Sequence, residues 1–203
     1  MVATGLYYAL ISLVVGGLLG WFITPLAGTP FALFSLFCLW FFRDPEREIP
    51  RGPIAVSPAD GKIVLVRHRP ERIDVCIFMN VFNVHVNRSP IGGKVVAVDY
   101  SPGKFMVASR DEASYANERN AVTVEGRDGT RVRFTQIAGL IARRIVCNVK
   151  PGDYVTTGDR IGLIQFGSRV DVELGPQWSV VVSEGQHVTA GSTVLARRVA
   201  TES

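Results

Sequence analysis

Gly152-Asp153-Tyr154-Val155-Thr156-Thr157-Gly158 recurs near the C-terminus as Gly185-Gln186-His187-Val188-Thr189-Ala190-Gly191. Each copy reads as a glycine-bounded hairpin followed by an apolar run. A second echo lies upstream, where Ser57-Pro58-Ala59-Asp60-Gly61-Lys62-Ile63-Val64 returns as Ser89-Pro90-Ile91-Gly92-Gly93-Lys94-Val95-Val96. Paired echoes imply two similar halves, hence a compact sandwich or barrel of short strands with pseudo-twofold character. The intervening runs agree. Ile63-Val64-Leu65-Val66, Val95-Val96-Ala97-Val98 and Ala121-Val122-Thr123-Val124 are short, largely β-branched, and punctuated by Gly, Pro and Asp. Arg127-Asp128-Gly129-Thr130 predicts a hairpin turn, because Asp-Gly accepts positive φ angles. No long helical period follows Arg43, although Arg110 to Asn120 has room for one short helix.

Residues 1–42 differ in kind. Of the chain's 203 residues, all 22 Lys and Arg and all 18 Asp and Glu lie after Phe42. Two apolar stretches, roughly Leu6 to Thr24 and Phe31 to Phe42, fill this segment. The first is long enough to cross a hydrocarbon core of ~30 Å. The second spans only if it begins near Leu26 and tolerates Pro30. Pro25, Gly28 and Pro30 predict a tight reversal between the two. A cleaved signal peptide fits less well, since a basic n-region is missing and a second apolar stretch follows at once. The expected organisation is an α-helical membrane-anchoring hairpin over 1–42 and a mainly β domain over 43–203. Arg43, Arg47 and Arg51 place that domain on the cytoplasmic side of a cell membrane. An interfacial or re-entrant anchor is the open alternative.

Cys38, Cys76 and Cys147 have neither metal-like spacing nor an even count, which argues against a disulfide framework. The sequence shows no metal cluster, phosphate-binding glycine loop or nucleotide fingerprint. A net charge of +4 favours contact with anionic lipid and does not indicate nucleic acid. The hairpin pattern matches that of lipoyl and biotinyl carrier domains, but neither turn holds a carrier lysine.

Phe166-Gly167-Ser168 follows the Gly158-to-Gln165 hairpin, just after an apolar strand-like stretch. A serine hydroxyl can attack the preceding carbonyl, and glycine leaves that carbonyl sterically open. The dipeptide alone is common, and Gly191-Ser192 repeats it. Its companions give it weight: Ser57-Pro58-Ala59-Asp60-Gly61, Phe82-Asn83-Val84-His85-Val86-Asn87-Arg88-Ser89-Pro90, and the uncharged hairpin. From about Phe41 to Gly175 the chain resembles the phosphatidylserine decarboxylase family in its short form, which includes archaetidylserine decarboxylase-like enzymes.

The resemblance implies a proenzyme that cuts itself at Gly167-Ser168 into a β chain, 1–167, and an α chain, 168–203. Ser168 becomes a pyruvoyl cofactor, whose ketone condenses with the substrate amine and accepts electrons as carbon dioxide leaves. The implied substrate is a serine phospholipid, converted from phosphatidylserine to phosphatidylethanolamine, with ester or ether tails left open. The implied assembly is a heterodimer of the two chains, its further oligomerisation also open. By the same resemblance His85 handles protons, for which an ordinary pKa near 6.5 is suited, and Asp60 supports self-cleavage. Arg88 stands where longer members carry a second histidine, so the base for cleavage stays open; its guanidinium fork could take the lipid phosphate. Asn117-Glu118-Arg119-Asn120 occupies the position of a family "N-E-R" element, where Asn117 or Asn120 could shape the site. Considered without the resemblance, Asp60 is a turn cap, His85 a structural histidine in an alternating strand, and His68 and His187 exposed turn residues. Two rivals remain: a non-catalytic, membrane-tethered carrier-like β module, and a pyruvoyl decarboxylase of a soluble amino acid.

Overall fold

The computed structural model describes residues 2–103, 117–139, 144–165 and 168–199. It divides into two units, Met1–Glu46 and Arg47–Ser203.

The first unit is a helical hairpin, α1 (Ala3–Phe22) and α2 (Pro25–Phe41). Small residues Gly5, Ala9, Ser12 and Gly16 recur every three or four positions along α1 and are its buried ones. They allow backbones to approach, as small-residue seams do in lipid. A Cβ on Gly28 would overlap the Gly16 carbonyl. Hydroxyls close the seam: Ser12 Oγ donates to Phe31 O and Ser35 Oγ to Ala9 O, both at 2.9 Å. The large side chains point outward, among them Leu10, Leu13, Trp21, Phe22 and Leu33. α1 is long and apolar enough to cross a membrane. The reversal lies at Ile23–Thr24, not over Pro25 to Pro30 as expected. Thr24 caps α2 by accepting from Ala27 N at 3.3 Å. Pro25 starts the helix because a first-turn residue has no intrahelical N–H bond to lose, and α2 then accommodates Pro30.

The second unit is built of strands, as the runs predict. β1 (Ile54–Val56), β2 (Gly61–His68) and β3 (Ile73–Met79) come first. Then follow β4 (Val86–Arg88), β5 (Gly93–Ser101), β6 (Arg119–Glu125), β7 (Arg131–Ala138), β8 (Ile145–Cys147), β9 (Tyr154–Val155) and β10 (Arg160–Ile164). β11 (Ser168–Leu174), β12 (Trp178–Val180), β13 (His187–Val188) and β14 (Val194–Arg198) complete the chain. Among the described residues they form an eight-stranded sheet, β13-β2-β3-β11-β7-β6-β5-β9, and two three-stranded sheets, β1-β14-β12 and β4-β10-β8. All pairs are antiparallel. The Arg127–Thr130 hairpin joins β6 to β7, with Gly129 at φ 77°. Of the short helix expected at Arg110 to Asn120, residues 110–116 lie outside the described residues. Arg119 and Asn120 are strand, because they continue the in-out alternation of Val122 and Val124.

The pseudo-twofold is real and sits between β11 and β7. One half is β1–β3 with β11–β14; the other, β4–β10, is inserted between β3 and β11. Equivalent bonds recur in both. Val56 N donates to Pro90 O and Arg88 N to Pro58 O, each at 2.9 Å. Gly191 N reaches Ser57 O at 2.8 Å and Gly158 N reaches Ser89 O at 2.9 Å. Both serine hydroxyls turn back on a carbonyl two residues ahead at 2.7 Å. The β2–β3 and β5–β6 ladders each carry one bulge, at Ile63/Leu65 and Val95/Ala97. The core lies on the inner face of the large sheet, where Val75, Ile77, Val122, Phe134, Val170 and Val172 are fully buried.

Candidate active site

Ser168 is the first residue of β11 and is fully buried at the centre of the large sheet. It pairs with Met79 of β3 on one side and Ala138 of β7 on the other. Side chains alternate across a strand, so Ser168 shares the inner face with Val170 and Val172. Its hydroxyl donates to Met79 Sδ at 3.4 Å. Gly167, the other half of the expected cleavage bond, lies outside the described residues. The rival serine, Ser192, is half-buried in the turn after β13, away from any sheet interior.

Asp60 stands in the bend before β2. One carboxylate oxygen accepts from Ala190 N at 2.8 Å, and Arg47 Nη2 lies 3.0 and 3.2 Å from the two oxygens. It therefore ties the chain leading to β1 and the second carrier-like hairpin to the Ser57–Gly61 turn. The next residue, Gly61, abuts the Phe78 carbonyl so closely that a Cβ would overlap it. Phe78 adjoins Met79, Ser168's register partner, so this turn is built against the corner that holds the serine.

His85 precedes β4 and is buried. The alternation expected around it is absent, because residues 84–91 are buried throughout on both faces. Its Nδ1 lies 2.9 Å from Asn83 O. A carbonyl only accepts, so in the neutral ring Nδ1 carries the hydrogen and Nε2 keeps the lone pair. Arg88 is also buried; Nη1 donates to Gly158 O at 3.0 Å, and its Cδ would lie 3.1 Å from a Cβ on Gly191. The guanidinium thus sits between the equivalent glycines of the two halves. His68 and His187 are exposed as expected, but in strands β2 and β13 rather than turns.

Residues that sequence reading passed over join these segments. Asn87, Met79 and Gln136 are fully buried, and Asn120 nearly so. Asn87 Nδ2 reaches Met79 Sδ at 3.9 Å, Gln136 Nε2 reaches Asn87 Oδ1 at 2.9 Å, and Asn120 Nδ2 reaches Gln136 Oε1 at 3.1 Å. Asn117 Nδ2 donates to the carbonyl of Ala138, Ser168's other neighbour, at 2.7 Å. Asn117 and Asn120 therefore do contribute to the surroundings of Ser168. A separate groove on the outer face, lined by Arg67, Arg72, Asp99, Arg133 and Glu173, lies behind the sheet from the serine side chain. Among the described residues no group of His, Cys, Asp and Glu is arranged to hold a metal ion.

A β sandwich of two similar halves, with Ser168 buried at the start of its central strand, is the frame in which these residues meet. Comparison with known proteins makes this specific. The family model for phosphatidylserine decarboxylase matches residues 34–196. The phosphatidylserine decarboxylase proenzyme of Solibacter usitatus is 57% identical over 98% of this chain and 97% of its own. The proenzyme of Oleidesulfovibrio alaskensis is 53% identical over 83% and 80%, and that of Paramagnetospirillum magneticum 46% over 96% and 84%. The chain belongs to the phosphatidylserine decarboxylase family, and so to a family of decarboxylase proenzymes. That sets aside the carrier-like module, which accounts for the two hairpins but not for Ser57–Gly61, the His85 segment or Ser168.

Proposed function

We propose that this enzyme decarboxylates phosphatidylserine to phosphatidylethanolamine after cutting its own chain at Gly167–Ser168. The burial of Ser168 at the head of β11 carries the reading. The ladder to β3 and to β7 runs as far as Ser168 on both sides. A chain that begins at residue 168 is therefore held in place without the peptide bond before it.

Cleavage starts when Ser168 Oγ adds to the Gly167 carbonyl carbon. The C–N bond breaks, an ester forms, and the hydroxyl proton ends on the freed amine. A base takes the Ser168 α-hydrogen, the Gly167 carboxylate leaves, and residue 168 becomes dehydroalanine; water then adds to it and ammonia departs, leaving the pyruvoyl ketone. The dry, amide-lined setting of Ser168 fits the resulting pyruvoyl group, which supplies a conjugated carbonyl able to take up the substrate amine and accept the electron pair left by carbon dioxide. His85 is proposed to relay the proton that replaces the carboxylate: the Nε2 lone pair takes a proton from water and passes it to the substrate carbon, while Nδ1–H stays anchored on Asn83 O. Asp60 supports cleavage by fixing the turn against β3. The buried Arg88 joins the two halves, and contact with the lipid phosphate remains its proposed second task.

Residues 1–42 are proposed to anchor the enzyme in the cell membrane, with residues 43–203 on the cytoplasmic side and the β and α chains remaining together as a heterodimer. Intact-mass measurement tests the core of the reading. Wild-type protein is expected as two chains meeting at 167/168, and Ser168→Ala as one. A junction at Ser192, or a whole wild-type chain, would overturn it.

A further inference from the structure

We infer that Met79 is a positioning residue for self-cleavage, its thioether held by an amide chain so that it fixes the rotamer of the Ser168 hydroxyl. The inference rests on Ser168 being the cleavage serine. All five side chains, Asn120, Gln136, Asn87, Met79 and Ser168, are at least 97% buried. They come from β6, β7, β4, β3 and β11, and so from both halves of the fold.

The chain has a direction. Asn120 donates to Gln136, Gln136 to Asn87, and Asn87 to Met79. The sulfur can only accept, so it receives the amide N–H from one side and the Ser168 O–H from the other. Its position is set twice, by Asn87 and by the β3–β11 register that places Met79 opposite Ser168. A thioether is too weakly basic to remove the hydroxyl proton. It can hold that hydrogen to one side, which directs the oxygen lone pairs away from β3. In the acyl shift those lone pairs must form the new C–O bond, so an oriented hydroxyl enters the step without a rotamer search. Three amides buried in a core of Val, Ile and Phe are costly to desolvate, whereas apolar residues of similar shape would pack there without that penalty.

Pulse-labelled full-length precursor, followed on gels, tests the inference. Met79→Leu fills the same space but accepts no hydrogen bond. Its precursor half-life should lengthen about tenfold, with a melting temperature close to that of wild type. Asn87→Leu should slow processing similarly, and the double variant should be no slower than the slower single one, because Asn87 acts through Met79. A merely structural pair would instead slow multiplicatively or melt earlier. Met79→Leu processed at the wild-type pace, or a double variant slowed by the product of the singles, overturns the inference. Should Asn87→Leu fail to fold, Met79→Leu decides alone. A wild-type precursor that never cleaves at 167/168 overturns the underlying reading, and that outcome is visible without any variant.

Discussion

Gly61 and Gly93 occupy equivalent positions in the two halves and face the same obstacle. A Cβ on Gly61 would overlap the Phe78 carbonyl oxygen, and one on Gly93 the Glu125 carbonyl oxygen. In each half a strand begins pressed against the backbone of its neighbour, just ahead of a bulge. The two sites share this packing but differ in what lies beside them, because only Gly61 adjoins Asp60 and the Met79–Ser168 pair.

That difference can be measured. Gly61→Ala and Gly93→Ala should each destabilise the fold by about 2–4 kcal/mol, since backbone must move to admit the methyl group. At a temperature where both variants are folded, Gly61→Ala should accumulate uncleaved chain and Gly93→Ala should cleave. Circular dichroism melts paired with gel analysis check this; equal cleavage by both would separate the Asp60 turn from processing.

Asp60 and His85 should fail at different stages. Asp60→Ala leaves the buried Ala190 N–H and Arg47 without their carboxylate, and its main defect should be uncleaved precursor. His85→Ala should lose decarboxylation by about 10²–10⁴ even in the fraction that cleaves. Carbon dioxide release per processed chain is the decisive measurement. Near-normal release from His85→Ala would reduce this residue to a packing role.

Cys76 predicts a pH dependence. Burial first, and then the charge of Asp171, push its thiol up to about 12, while Arg169 pulls the other way. An unfolded thiol titrates near ~8.5. The folded state thus holds the proton more tightly, and its contribution is complete below the unfolded value. The contribution disappears as pH rises through that interval towards about 12. Between pH 8 and 10.5 the melting temperature of Cys76→Ala should fall less than that of wild type, and at pH 8 the native thiol should resist alkylation. Parallel pH slopes for the two proteins would contradict this.

Removing residues 1–42 should leave self-cleavage intact, because Ser168, His85, Asp60 and the amide chain all lie in the β unit. Activity on bilayer phosphatidylserine should fall at least about tenfold more than activity on short-chain serine lipid in detergent, since an anchor acts through local concentration. Equal losses on both substrates would mean that the hairpin helps to build the site.

Several of these features can be read from the residues alone, for physical reasons. The Ser57–Val64 and Gly152–Gly158 echoes are legible because a twofold repeat must reproduce the same turns and ladder bonds. The β11–β7 register at the dyad is not, because it joins strands from different halves and leaves no local pattern. Pro25 misleads, since proline breaks a helix interior but is well suited to its first turn. In the site, Ser168 and His85 stand in recognisable runs. Gln136 offered a fainter signal: it is in phase with the inward Val132, Phe134 and Ala138, and a polar side chain on an apolar face demands a partner. Asn120 is likewise in phase with Val122 and Val124. Asn87 offered none, because β4 is buried on both faces and has no phase to read.

The insertion of one half between β3 and β11 also decides what becomes of the protein after maturation. The bond proposed to break lies where the chain re-enters the first half, and the severed piece supplies β11, β13 and β14 to partners on the other fragment. Neither fragment retains a complete core. The precursor folds as one connected chain, with its ends and turns tethered, whereas the mature pair could refold only by two strangers meeting and threading four strands back among their neighbours. Cleavage at 167/168 would therefore turn refolding from a one-chain event into a two-chain one. The working lifetime of such a pair would be set by how slowly it first comes apart rather than by any equilibrium with an unfolded state.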